Sequence, residues 1–536
     1  MKHIVMGLAV LLSCIIGGAS FAKVDGLDIK VRGQWDFSFG WVHNRNFEDS
    51  VHGNTGRHNQ DSFEARQRIR TQINFITSEY LQAVLMFEIG GLDWGRTSDR
   101  NTGPQSGGSL DADGVNIKTK RAYIDWIIPQ SSISVRMGIQ GLTLPSTPMG
   151  SPLFDADVAG IMISSPIADW LSATAFWIRP FDPYQFSNDD HNTVYPNADD
   201  HFSDEVDIFG LILPMNGEGW SVTPWFMYGF IGANSGVYDY MYGTSVFTGN
   251  DKFQNTVGTD AYWSDGAENS STHGLWLGAH LELTKFDPWV LNLEAIYGRL
   301  GRANLRGLGW FVGDELNRNW VGDCNIRTSG WFLGATLDYK LDFGTPGIFA
   351  WWASGDKANA YHDGSLGRLP AFGNDGGSFS ATSFGMSGYY GIGNGGDSNL
   401  VTGTGLGTMG IGIQLADFSF IEDLSHTLRF AYYRGTNDPN VIKNGNDGWW
   451  PLKYSADALY LTKEDNVFEV NFDHKYRIYQ NLEAVLELGY LRLHADKDTW
   501  SGRKDRMSGF HNQRNINYKE ESENAWKAEL NFRYEF

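Results

Sequence analysis

A period of two, recurring along the whole chain, constrains its fold more than any other feature. In "AWKAELNFRYEF" (525–536), Trp526, Ala528, Leu530, Phe532, Tyr534 and Phe536 share one face. Lys527, Glu529, Asn531, Arg533 and Glu535 share the other. Such alternation is a β-strand with one apolar and one polar side. "LDIKVRGQWDFSFGW" (27–41) repeats it, with Leu27, Ile29, Val31, Trp35, Phe37, Phe39 and Trp41 on one face. The pattern returns in "FEARQRIRTQINF" (63–75), "LQAVLMFEI" (81–89), "KRAYIDWII" (120–128) and "SISVRMGIQ" (132–140). It continues through "LSATAFWI" (171–178), "GLWLGAHLEL" (274–283), "WVLNLEAIY" (289–297) and "GWFLGATLDYKL" (330–341). The last examples are "TLRFAYYR" (427–434), "NVFEVNFDHKYRI" (466–478) and "LEAVLELGYL" (482–491). Most approach the ~9–11 residues that a tilted strand needs to cross a bilayer.

The connections alternate in length. Short ones such as "TSEY", "PQSS", "KFDP" and "YQN" follow long ones rich in Gly, Asn, Asp and Ser. Tight turns on one side and long loops on the other are the layout of a transmembrane antiparallel β-barrel. Nine long loops imply nine hairpins and 18 strands. Sixteen is the alternative, because "VAGIMISS" (158–165) and 401–417 are weakly patterned. A soluble β-domain explains the alternation but not the loop rhythm. A closed barrel pairs its last strand with its first and leaves no open edge in lipid.

Composition agrees. The chain has 64 Gly and 14% aromatic residues, yet a mean hydropathy of −0.33, which suits a barrel with a wet interior. A net charge of −21 leaves no basic footprint for nucleic acid. "MKHIVMGLAVLLSCIIGGASFA" (1–22) reads as a secretory signal cleaved after Ala22. Cys14 in "LLSC" loosely resembles a lipoprotein cleavage site, but Leu12 and the apolar "IIGG" beyond it fit that pattern poorly. After Ala22 no uncharged apolar run reaches the ~18 residues of a membrane helix. Only Cys324 then remains, so no intramolecular disulfide is expected. Residues 23–536 are expected to form one barrel domain.

The polar face of the second strand carries Glu64, Arg66, Arg68, Arg70 and Gln72. Arg121 shares a face with Tyr123 and Asp125, and Arg136 lies between Ser134 and Gly138. Neighbouring strands are about 4.8 Å apart, so these arginines are expected to form one basic patch on the lumen wall. A charge facing lipid at mid-depth costs ~2–4 kcal/mol, which favours the lumen. Pairing with Glu64, Glu88 and Asp125 is the structural alternative, and both can hold. The segment "GLTLPSTPMGSPLFDADVAG" (141–160) carries three Pro and several apolar residues. Residues 141–158 are expected to fold into the lumen as a constriction loop, with Leu144, Leu153 and Phe154 anchoring it. Its acids Asp155 and Asp157 would then face the arginines and create a transverse field. The alternative is an ordinary outer loop with solvated acids.

"FEARQRIRTQ", "KRAYIDW", "VRMGIQG", "FDADVAGI" and "FAWWASGD" (349–356) resemble the outer-membrane homotrimeric porins of sulfate-reducing bacteria. The resemblance is strongest in 60–165 and fades in the long loops. It implies a trimeric, passive, water-filled channel for small hydrophilic solutes. In general porins the third outer loop is the constriction, and 141–158 is third here. A terminal Phe536 resembles the signal through which the barrel assembly machinery recognises outer-membrane proteins.

A diffusion porin of the bacterial outer membrane is therefore expected, touching lipid and lipopolysaccharide, needing no cofactor and not acting as an enzyme. The basic patch predicts a weak anion preference, offset by Asp155, Asp157 and Glu88. A substrate-specific channel would show a line of aromatic residues inside, whereas Phe176, Trp276 and Phe332 have inward parity but are scattered. An outer-membrane hydrolase would need a nucleophile, a base and an orienting group held together, and no His is spaced to suggest one. An energy-coupled transporter would need a plug before Leu27. "GIGNGG" (391–396) lacks a strand–turn–helix context for nucleotide binding. "SNDDHN" (187–192) and "NADDHFSDE" (197–205) could bind Ca²⁺ and bridge to lipopolysaccharide phosphates, against the reading of a solvated acidic loop. No metal site is expected elsewhere.

Overall fold

The structure is a computed structural model. It describes residues 26–44, 62–95, 117–181, 205–232, 271–305, 310–312, 315–317, 324–358, 360, 365–372, 378–386, 405–443, 454–455, 458–459, 461–500 and 523–536. The expected signal segment, the acidic stretches 187–192 and 197–204, and 391–396 lie outside these.

Among the described residues, 18 staves close one antiparallel barrel. The first nine are β1 (Asp28–His43), β2 (Ser62–Ser78), β3 (Leu81–Asp93), β4 (Ile117–Ile127), β5 (Ser134–Thr143), β6 (Asp155–Ala168), β7 (Leu171–Phe181), β8 (Val206–Ile212, resuming at Met215–Gly217) and β9 (Trp220–Ile231). The second nine are β10 (Thr272–Leu283), β11 (Trp289–Leu305), β12 (Cys324–Tyr339), β13 (Thr345–Ala353), β14 (Thr408–Ile421), β15 (Leu424–Gly435), β16 (Asn466–Tyr479), β17 (Leu482–His494) and β18 (Glu523–Glu535). Both pieces of β8 pair with β9, and Pro214, which has no N–H to donate, falls in the gap between them. Ser365–Leu366 adds a two-residue parallel bridge from a loop to β12. The weakly patterned segments are strands: 158–165 lies within β6, and β14 begins at Thr408. The sixteen-strand alternative therefore falls away. The turn at 422–423, between β14 and β15, was not anticipated by the patterning.

Closure runs from Gln34 opposite Glu535 to His43 opposite Trp526. Beyond the ladder, the Gly33 N–H donates to the Phe536 carbonyl (2.9 Å) and the Phe536 N–H to the Gly33 carbonyl (3.1 Å). A Cβ at position 33 would sit 2.6 Å from the Phe536 ring. Glycine there lets the terminal aromatic lie flat across the neighbouring strand.

Side chains divide by parity. Ile29, Val31, Met137, Ile348, Ile411 and Ile413 are exposed on the outside, as a lipid-facing belt requires. Tyr80, Trp170, Phe286, Phe343 and Tyr479 ring the short-turn end, and Trp41, Trp331, Trp352, Tyr432 and Trp526 the long-loop end. These are the two aromatic girdles of a barrel that crosses a membrane. Among the described residues no helix is long and apolar enough to cross one.

The buried apolar cluster lies inside the barrel. Loop 144–154 folds inward, and Leu144, Leu153 and Phe154 are almost fully buried. The loop after β13 supplies Leu369, Phe372, Phe379 and Phe384 to the same cluster. They pack on inward aromatics of β10, β12 and β13: Trp276 to Phe372 (5.6 Å between ring centres), Phe332 to Phe379 (5.4 Å) and Trp351 to Phe379 (5.6 Å). The glycine content has a local reason here. Trp225, Trp351 and Phe349 lie across the places where side chains at Gly278, Gly410 and Gly412 would stand. Glycine on one stave thus makes room for an aromatic from the next.

Candidate functional site

With the β6–β15 side of the lumen packed by loops, the remaining inner wall is polar and runs from β16 across the seam to β5. Its centre is Asp36, fully buried, which accepts from Arg68 Nη2 (3.0 Å) on β2 and Arg533 Nε (2.7 Å) on β18. Both arginines stand directly opposite Asp36 in the ladders, so strand register alone brings them together. On one side, Arg70 Nε donates to Glu88 (2.7 Å), and Arg136 forms a two-point pair with Asp125 (2.6 and 2.8 Å). The Arg136 guanidinium also lies 4.4 Å from the Tyr123 ring centre. Arg66 lies 3.5 Å from Glu64. On the other side of the seam, Ser38 donates to Glu529 (2.7 Å), and Lys527 Nζ reaches Glu487 (2.7 Å) and the Ser383 carbonyl (2.6 Å). Arg429 pairs with Asp473 (2.9 Å).

Exposure separates these arginines. The side chains of Arg66 and Arg68 are only 6% and 11% exposed, whereas those of Arg70 and Arg136 are 24% and 39% exposed. Arg70 and Arg136 are thus the members of the expected patch that present charge to the lumen. A cavity of about 510 Å³ lies at the short-turn end, lined in part by Gln82, Asp125, Arg136, Met162 and Ser164.

Arg121, Asp155 and Asp157 are placed elsewhere. Asp155 and Asp157 belong to β6, because the inward loop is 144–154 rather than 141–158. They share a face with the outward Ile161 and Ile163 and stand opposite Thr143 and Gly141. Asp155 accepts from the Thr143 hydroxyl (2.6 Å), and Asp157 pairs with Lys120 and Arg121 (both 2.7 Å). The β3–β4 register slips between Met86 opposite Arg121 and Phe87 opposite Thr119, leaving Lys120 as an extra residue. A bulge re-aims side chains, and Arg121 reaches over Gly141 to Asp157. This group therefore does not stand across from Arg68 and Arg70. Strict alternation could not reveal the bulge.

The two inward loops hold each other. Ser380 N–H donates to the Met149 carbonyl (2.6 Å) and Ser378 N–H to the Ser151 carbonyl (2.8 Å). Thr147 N–H donates to Glu294 (3.2 Å) on the far wall. The second loop is strapped to the polar wall. Phe384 and Gly385 N–H donate to Glu469 (3.2 and 3.0 Å), and the Ser383 hydroxyl donates to Asp473 (3.1 Å). Tyr433 donates to the same Glu469 (2.9 Å). Sequence patterning missed 378–386 as a lumen element, and also Arg429 and Arg533. The arginines carried a readable signal, inward parity on a strand. The loop carried none beyond Phe379, Phe384 and Met386 in a polar setting.

No protein-family model and no curated protein matches the chain. Among solved structures it is similar to OpdQ of Pseudomonas aeruginosa, with 11% identity and a TM-score of 0.46 over 95% of this chain and 98% of that one. OpdK of Pseudomonas aeruginosa, solved with vanillate, gives 9% identity and 0.42 over 95% and 98%. OccAB3 of Acinetobacter baumannii gives 10% and 0.43 over 95% and 99%. Similarity at this level assigns neither substrate nor family.

Proposed function

We propose that the chain is a passive diffusion porin of the bacterial outer membrane, passing small hydrophilic solutes and ions. The observation that carries this is the two-sided lumen. One side is packed by inward loops, and the other is a wall of fixed, paired charges from β16 to β5. Such a constriction sorts solutes by size and charge without any cofactor. Arg70 and Arg136 are the selectivity residues of this reading, and the more buried Arg66 and Arg68 belong to the same wall. No catalytic role is assigned to any residue. Export by a cleaved signal, homotrimer formation, contact with lipopolysaccharide and assembly through Phe536 belong to the same proposal. Descent from the porin type of sulfate-reducing bacteria rests on the motifs in 60–165.

Single-channel recording in a planar bilayer tests it. The expected result is steady ohmic openings, with the reversal potential shifted toward cations in Arg70→Ala/Arg136→Ala. Arg121→Ala, whose side chain reaches the outward Asp157, should leave the reversal potential unchanged. A folded, heat-modifiable barrel without conductance would overturn the porin reading. A shift from Arg121→Ala as large as that from the double variant would move the selectivity site.

A further inference from the structure

Beneath the strapped loop lies a second cavity, of about 210 Å³. Ser380, Thr382 and Ser383 roof it, Asp417, Ser425, Thr427 and Arg429 form one wall, and Asp473, Lys475 and Glu487 form the other. By parity Thr427, Arg429, Asp473, Lys475 and Glu487 face inward, so the cavity belongs to the lumen rather than to the lipid side.

We infer that this cavity is a solute-binding subsite for a small neutral polyhydroxylated molecule of monosaccharide size. The inference rests on the porin reading and deepens it.

Charge balance of the lining is the first ground. Arg429 is matched by Asp473 (2.9 Å), Lys475 by Glu483 (2.7 Å) and Glu487 by Lys527 (2.7 Å). An anionic solute would have to displace one of these carboxylates, and Arg429 and Lys475 in the same lining oppose a cation at Asp417. A polyol would not: its hydroxyls donate to carboxylate lone pairs and accept from guanidinium or hydroxyl donors at once. Hydrogen bonds to charged groups are also the stronger kind.

Unused hydrogen-bonding capacity is the second ground. Thr382 Oγ1 is buried and has no hydrogen-bond partner. The carboxylate of Asp417 and the hydroxyl of Ser425 likewise have no partner among the described residues. The Thr427 oxygen accepts from Asp417 N–H (3.3 Å), which leaves its own proton to donate. Four polar groups therefore line one small space with capacity unused, Thr382 buried and the Asp417 carboxylate open to solvent. A buried polar group without a partner, as at Thr382, is rare in proteins and calls for an explanation such as a bound partner.

Backbone geometry is the third ground. Asp417 has a positive φ of 52° and sits in a register shift between Leu415 and Phe418. Phe418 stays outside, against His426 (5.2 Å between ring centres), while the bulge turns Asp417 inward. A bulge that re-aims one side chain in this way is a feature found next to functional sites. The lone carboxylate would repel anions from the same space.

The test uses the full barrel in a planar bilayer with D-glucose as the probe, and L-glutamate and L-lysine as charged controls. Baseline conductance without solute reports on the porin reading by itself. Glucose is expected to reduce the ion current saturably, and the charged controls are not. In Asp417→Asn and in Ser425→Ala the half-saturating glucose concentration should rise about tenfold. Asn tolerates positive φ, so the first variant keeps the bulge, and heat-modifiable migration verifies folding in both. Normal conductance with a current that falls linearly with glucose would overturn the subsite and leave the porin. Saturation by lysine or glutamate in place of glucose would overturn the neutral class. A folded barrel that does not conduct would overturn both.

Discussion

Asp36, on the first strand of the barrel, holds two guanidiniums, one from the second strand and one from the last. Its burial makes that arrangement consequential. Removing the acid takes from two guanidiniums the buried carboxylate that they share, and breaking a buried pair in this way costs about 3–5 kcal/mol. Asp36→Asn should therefore lower the midpoint of thermal unfolding, read as the loss of heat-modifiable migration. It should also shift the reversal potential toward anions. An unchanged midpoint would mean that Arg68 and Arg533 find other acids, and an unchanged potential that Asp36 lies outside the field a permeating ion feels. The pairing reading of the arginines and the pore reading are compatible, because a matched charge still shapes the local potential.

At the scale of elements, the inward loops decide how wide the opening is. Gly150 has φ +85°, and a side chain there would meet the Ser378 carbonyl. Gly150→Val should therefore part loop 144–154 from the segment at 378–380, at a local cost of about 1–3 kcal/mol, and leave the barrel folded. Larger single-channel conductance with unchanged heat-modifiability is the expected outcome. Equal conductance would mean that the loop contact does not limit the opening. Much of this level could be read from residues. Leu144, Leu153 and Phe154 were too apolar for a free loop, and all three are buried. The eighteen staves followed from alternation and loop rhythm, because a strand that meets lipid on one side and water on the other must alternate. What failed to show was whatever breaks the period. The bulge at Lys120 let Arg121 reach Asp157, Asp155 and Asp157 continued a strand that had looked like a loop, and the tight turn at Glu422–Asp423 has no Gly or Pro to announce it. Segment 378–386 is fixed by carboxylates on β16, some 90 residues away, and nothing local announces it.

At the scale of the whole molecule, the seam between β1 and β18 closes the sheet. The Phe536 ring over Gly33 fills the last position of that seam on the lipid side. Gly33→Val would drive the ring off its seat and crowd the Arg70 carbonyl as well. The variant should melt at lower temperature than the parent and refold more slowly into vesicles. Phe536→Ala should share the slower refolding with a smaller loss in melting, since it empties the seat without a collision. Identical refolding rates for both variants and the parent would assign the seam no part in assembly.

The seam also sets a problem of timing. Ser38 and Glu529 are bonded across 491 positions of chain. Every other neighbouring pair of staves is consecutive along the chain and can meet as soon as both exist, but β1 must wait for β18. Until then two rows of unpaired N–H and C=O groups border the growing sheet, and hydrocarbon offers them nothing. A chain of this design needs a borrowed edge: some surface, outside itself, that lends strand-like hydrogen bonds to both margins and is released when they find each other.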